Sequence, residues 1–69
     1  MAYYVLNRNE QSNGDHEVHT STCNHGPSSN YENLGSFSNC HDAVRKAKGL
    51  YPGWKINGCW YCSRECHTT

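Results

Sequence analysis

The chain opens on an apolar run, Tyr3-Tyr4-Val5-Leu6, whose aromatic and β-branched character predicts a strand. Gln11-Ser12-Asn13-Gly14-Asp15 is a cluster of turn formers, and Asn-Gly is a strong short-range hairpin signal. His16-Glu17-Val18-His19-Thr20 then reads as the returning strand, so the first twenty residues predict a β-hairpin. Residues 24–33 are polar and turn-rich and predict an exposed loop. Leu34-Gly35-Ser36-Phe37 predicts a short third strand. Ser38 or Asn39 can cap a helix reaching about Tyr51. In that helix Cys40, Ala43, Val44, Ala47 and Leu50/Tyr51 recur at helical spacing and form one apolar stripe. His41, Asp42, Arg45, Lys46 and Lys48 fall mostly on the other side. Pro52-Gly53 stops the helix, and Trp54-Lys55-Ile56-Asn57 predicts a last short strand. The order predicts an α+β fold over residues 1–69 as a single domain. Its sheet is expected to be antiparallel, the hairpin plus one or two short strands, with one helix packed on it.

Composition makes that fold hard to hold by core burial alone. Only 35% of the 69 residues are hydrophobic, and the mean hydropathy is −0.94. A domain of this size buries about 60% of the surface its unfolded chain exposes, and below roughly 70–80 residues a staple is usually needed. Five cysteines and five histidines are the candidates. The N-terminal run has no basic region before it and no small-residue cleavage site after it, and no stretch is long and apolar enough to span a membrane. The expectation is therefore a cytoplasmic protein with reduced thiols and no membrane association. An odd cysteine count points the same way, toward metal ligation rather than a closed disulfide framework.

The strongest chemical signal is Cys59-Trp60-Tyr61-Cys62, because a Cys-x2-Cys turn aims two thiolates at one ion. A closed structural zinc site takes four ligands, and the best upstream pair is His19-x3-Cys23, where the hairpin ends. The expected staple is one zinc ion held by His19, Cys23, Cys59 and Cys62, with Cys66 as a substitute ligand. Cys66 can otherwise pair with Cys40 on oxidation. Cys40 itself lies on the apolar stripe and reads as core. His67 is expected near a frayed, solvent-facing terminus, and His16, His25 and His41 at the surface. Formal net charge is zero, which argues against a strongly electrostatic nucleic-acid binder. The balance is uneven, however. Residues 1–39 set Arg8 against Glu10, Asp15, Glu17 and Glu32, whereas Arg45, Lys46, Lys48, Lys55 and Arg64 outnumber Asp42 and Glu65 afterwards. A weak nucleic-acid surface of Arg45, Lys46, Lys48 and Lys55, with Trp54 and Trp60 stacking on bases, is an alternative. In a thin core those aromatics, with Tyr61, are expected to be packing residues first.

The order strand, turn, strand, His19-x3-Cys23, polar loop, Phe37-Ser38, a helix with Asp42-Ala43, an aromatic and Cys59-x2-Cys62 resembles a known family. It is similar to the metal-binding domain of the Ada DNA-alkylation-repair proteins and to relatives appended to bacterial nucleases. The ending Cys62-x3-Cys66-His67-Thr68 also resembles that of short bacterial proteins to which no activity attaches. The Ada resemblance implies an α+β fold around one zinc. In the alkyl-accepting member the first of the x3-spaced pair is a reactive cysteine. His19 stands there here, which argues against methyl transfer. The expected function is a stand-alone, non-catalytic, zinc-stabilised module that binds a protein or a nucleic acid. Thiol redox chemistry at Cys59-x2-Cys62 is a further alternative. It lacks the βαβ context and length of a thioredoxin-like domain.

Overall fold

The computed structural model describes residues 1–68. Strands β1 (Ala2–Asn7), β2 (Asp15–Thr20) and β3 (Tyr31–Phe37) are followed by helix α1 (Cys40–Leu50), strand β4 (Lys55–Gly58) and a 3-10 turn at Arg64–Cys66. The sheet order is β3-β1-β2-β4. The first apolar run and its returning partner thus become the two central strands, antiparallel, with Val5 opposite His19 and Leu6 opposite Val18.

β3 pairs antiparallel with β1 along its whole length, from Ala2 opposite Phe37 to Asn7 opposite Tyr31. It is longer than the sequence pattern predicts. Tyr31, Glu32 and Asn33 read as loop because an edge strand can show polar side chains to water on residues whose backbone is fully paired. The pairing shifts register between Tyr4 and Val5, where Gly35 adopts a φ of +110°. A residue without Cβ reaches that conformation freely, which is how a bulge is accommodated.

The expectation of an antiparallel sheet needs one correction. β4 lies parallel to β2, Asp15 beside Lys55 and Val18 beside Gly58, so the sheet is mixed. Parallel neighbours cannot be joined by a tight turn and need a crossover. Here the chain passes through β3 and α1 between β2 and β4. Asn39 caps α1 by accepting from the Asp42 N–H at 3.0 Å, and Tyr51 N–H closes its end on the Ala47 carbonyl. Cys40, Ala43 and Ala47 are buried on the sheet, Val44 and Tyr51 pack at the margin, and Leu50 turns outward, 47% exposed.

The core between helix and sheet is small: Tyr4, Leu6, Val18, Leu34, Cys40, Ala43, Ala47 and Cys66, with Ala2, Phe37, Val44, Tyr51, Trp54 and Ile56 at its edge. A fully buried Leu or Val side chain stabilises by roughly 1.5–3 kcal/mol. Ordering each residue's backbone costs about 1–2 kcal/mol. With Leu6, Val18 and Leu34 the only large aliphatics sealed in it, this core leaves a substantial share of the fold to crosslinks. No helix is long and apolar enough to cross a membrane among the described residues.

Candidate metal centre

β2 and β4 run side by side to their C-terminal ends, and the Cys59 N–H continues the pairing onto the Val18 carbonyl at 2.9 Å. The next residues along, His19 still within β2 and Cys59 just past β4, therefore stand at the same level. Along β2 successive side chains alternate faces, so His19 projects away from the face on which Val18 enters the core. Beyond β2 the chain makes two tight turns, Cys23 N–H to the Thr20 carbonyl and Gly26 N–H to the Cys23 carbonyl, each 3.1 Å. These bring Cys23 back beside His19. Beyond β4 a further turn, Ser63 N–H to the Cys59 carbonyl at 2.8 Å, carries Cys62 to the same place.

The outcome is one cluster. The donor atoms of His19, Cys23, Cys59 and Cys62 all lie within 4.8 Å of one another. Cys23 Sγ is 3.9 Å from Cys59 Sγ, and Cys62 Sγ is 3.8 Å from His19 Nδ1. Two thiolates bound tetrahedrally at about 2.3 Å from one zinc sit roughly 3.8 Å apart. His19 and Cys59 are 2% exposed, and Cys23 and Cys62 are half-buried. A metal ion fits this group, because three sulfurs and an imidazole nitrogen enclose a common centre and four donors complete its coordination.

Several surrounding groups suit the same purpose. Glu17, two residues before His19 on the same strand face, brings Oε1 to 3.5 Å from His19 Nε2. A carboxylate on Nε2 favours the tautomer that leaves the Nδ1 lone pair facing the cluster. The Thr20 N–H donates to Cys62 Sγ at 3.3 Å, a contact that favours the thiolate. Burial holds His19 below its usual range, with His25 adding to the effect, and so keeps the imidazole neutral. Burial also pushes the Cys59 and Cys62 thiols up. An exchange-active Cys-x2-Cys needs the opposite, a depressed thiol.

Gly58 lets the knuckle close. A Cβ there would stand 2.6 Å from both Cys66 Cβ and the Ser63 carbonyl oxygen, so the chain after Cys62 folds back directly over the glycine backbone. The fold-back is tied down by Asn57, whose Oδ1 accepts from the Thr68 N–H at 2.9 Å, and by His67 Nδ1, 3.0 Å from the Gly58 carbonyl oxygen.

Cys66 is not among the four clustered donors and so is corrected as a substitute ligand. The 3-10 turn aims it at the start of α1, where it is bonded to Cys40. The four-donor group and the Cys40–Cys66 disulfide thus coexist in this chain. Two of the five cysteines are paired with each other, and Cys23, Cys59 and Cys62 are free. Two histidines expected at the surface are also placed inside. His16 is buried, with Nδ1 3.0 Å from the Asn7 carbonyl oxygen and its ring stacked on Trp54. His67 is half-buried on Gly58 and meets Trp60 edge-on.

The six residues of the nucleic-acid alternative are scattered in their engagements. Trp54 stacks against both His16 and Tyr51. Lys55 reaches the Asn13 carbonyl at 3.1 Å and the Asp15 carboxylate at 3.9 Å. Trp60 carries the Arg64 guanidinium 4.3 Å above its ring. Arg45, Lys46 and Lys48 remain exposed along α1. Tyr61 is 68% exposed rather than packed, and stacks on His25.

Sequence reading missed Glu17, the Thr20 N–H and Gly58. Only Glu17 left a usable signal, a carboxylate two residues from a ligand candidate in a predicted strand. Compared with protein-family models, curated proteins and solved structures, the chain matches none.

Proposed function

We propose that this chain is a zinc-stabilised, non-catalytic binding module in which His19, Cys23, Cys59 and Cys62 hold one structural ion. The observation that carries the reading is the convergence of these four donors from two distant segments, 19–23 and 59–62, within 4.8 Å of one another. Thiolate and imidazole donors select a borderline-soft ion such as zinc over the hard oxygen-seeking cations. Four protein donors leave no open position for a substrate, which favours a structural over a catalytic role. Structural zinc contributes about 10–16 kcal/mol of apparent binding energy in small zinc peptides, and that energy becomes folding energy where the site does not pre-exist in the unfolded chain.

Binding is supported by the exposed aromatics on the knuckle, Trp60 at 47% and Tyr61 at 68% exposure, mounted beside the ion. A protein partner suits such a surface. A nucleic-acid partner is the second reading, supported by exposed Arg45, Lys46 and Lys48 and by the resemblance to the Ada metal-binding domain. Salt-dependent binding to DNA or RNA oligomers would favour it, and no binding at low salt would remove it.

The test of the metal is native mass spectrometry of protein purified with zinc, before and after a strong chelator, alongside amide spectra. One zinc per chain with loss of dispersion on removal is expected. A folded chain that takes up no zinc overturns the reading.

A further inference from the structure

The disulfide sits in a second group of metal-ligating side chains. Cys40, His41 and Cys66 bring their donor atoms within 4.8 Å of one another, on the α1 side of the molecule. The sulfurs are buried, whereas the His41 imidazole is 60% exposed and lies over them from the first turn of α1. Glu65, the neighbour of Cys66, places Oε2 at 3.9 Å from His41 Nε2. Three donors of the kinds that bind zinc, two sulfurs and an imidazole, therefore meet at one place, with the Glu65 carboxylate beside the imidazole. An open groove of about 390 Å³ beside α1 is lined by His41, Glu65 and Cys66, so an ion has a way in.

A disulfide and a two-thiolate metal site make similar demands on the backbone. The Cys40 and Cys66 Cα atoms are 6.3 Å apart. Thiolates sharing a tetrahedral zinc need their sulfurs roughly 3.8 Å apart. Rotation about the two Cα–Cβ bonds supplies that separation with the backbone in place. Cys40 opens α1, where unpaired helical N–H groups favour an anionic sulfur.

We propose that Cys40, His41 and Cys66, with Glu65 as fourth donor, form a second divalent-cation site that the Cys40–Cys66 disulfide closes and thiol reduction opens. The reductant is a dithiol. It transfers two electrons to the Cys40–Cys66 bond, is itself oxidised to a disulfide, and leaves two protein thiols. A zinc ion then binds both sulfurs and displaces their two protons. Oxidation of the thiolates expels the ion and re-forms the S–S bond, the two electrons passing to a disulfide oxidant. The chain would then hold one constant ion at His19, Cys23, Cys59 and Cys62 and one conditional ion here. The two sites share no ligand.

The test is cobalt and zinc titration of the full chain, oxidised and dithiol-reduced, with the reductant removed under anaerobic conditions. The reduced chain is expected to bind one more ion than the oxidised chain. That extra ion should show thiolate-to-cobalt absorption and lose at least about a hundredfold in affinity in His41→Ala, since even outer-shell changes cost 10–100-fold. His41 is exposed, so this variant leaves packing intact. In the reduced chain zinc should also protect Cys40 and Cys66 from alkylation, located by peptide mass, and His41→Ala should abolish that protection. Equal stoichiometry in the two redox states overturns the proposal, as does an extra ion or zinc protection that His41→Ala leaves unchanged. An oxidised chain that binds no ion would instead count against the first site, while the increment on reduction still decides the second.

Discussion

Two crosslinked regions grip the same short segment from opposite sides, and they differ in kind. Residues 60–66 belong to no strand and are held locally by turns. On one side Cys59 and Cys62 meet His19 and Cys23 at the end of β2. On the other, Cys66 is joined covalently to Cys40 at the start of α1. The disulfide extends the apolar core, since both of its cysteines belong to the cluster with Leu6, Val18 and Ala43. The four-donor group lies on the opposite face of β2 from that cluster, with buried Val5 opposite His19. It gathers three thiols and an imidazole, and burial there opposes charge on the Cys59 and Cys62 sulfurs. The comparison teaches that one staple is a covalent bond inside the apolar core, whereas the other gathers metal-ligating side chains on the opposite sheet face.

Removing one ligand from the four-donor side should have the largest effect. Cys62→Ser is expected to forfeit most of the metal's folding energy, several of the roughly 10–16 kcal/mol available, and to collapse the dispersed amide spectrum. A variant that keeps its dispersion would erase the distinction between the staples. Replacing the disulfide is expected to be milder. Cys40→Ala with Cys66→Ala opens a crosslink of sequence separation 26. Chain entropy puts its loss at about 3.5 kcal/mol. The zinc-loaded double variant should stay folded, with a lower midpoint in urea. If it unfolds outright, the disulfide is the principal staple.

Gly58→Ala probes the point where the two grips meet. Its Cβ would collide with Cys66 Cβ and the Ser63 carbonyl, and backbone has to give. Overpacking of this kind costs about 1–3 kcal/mol, read from chemical denaturation, and should weaken zinc retention as well. An unchanged midpoint would show that the knuckle does not close on the glycine. Glu17→Gln, smallest of the series, leaves all four donors and removes only the carboxylate behind His19. Zinc affinity should fall about 10–100-fold by competition with a chromophoric chelator, with the disulfide region unaffected. No change in affinity would mean that Glu17 does not orient the imidazole.

Much of the local structure was legible because it rests on neighbours in sequence. Asn39 as a cap, the Cys40-Ala43-Ala47 face and the hairpin around Asn13-Gly14 all depend on contacts within a few residues. The Cys59-x2-Cys62 turn is local too, and with His19-x3-Cys23 it singled out the four residues that the structure clusters. What escaped was set by distant partners. β3 begins at Tyr31 because β1 offers it hydrogen bonds, although Tyr31-Glu32-Asn33 has no apolar pattern. His16 is buried because Trp54, far along the chain, stacks on it.

The direction of β4 is the clearest case. Apolar alternation specifies which residues of a strand face a core and says nothing of which way its neighbour runs. An antiparallel β4 would place Cys59 beside Asp15, at the far end of β2 from His19. The parallel pairing with Val18 beside Gly58 delivers Cys59 to His19 instead. The sequence alone therefore determined the elements, the donor types and the need for a staple, since propensity, spacing and a low apolar content are written residue by residue. Tertiary structure alone decided the direction of β4 and that Cys66 bonds to Cys40 rather than joining the metal ligands. Both depend on crossover topology and on how closely Cys66 approaches Gly58, quantities that exist only once separate segments have packed.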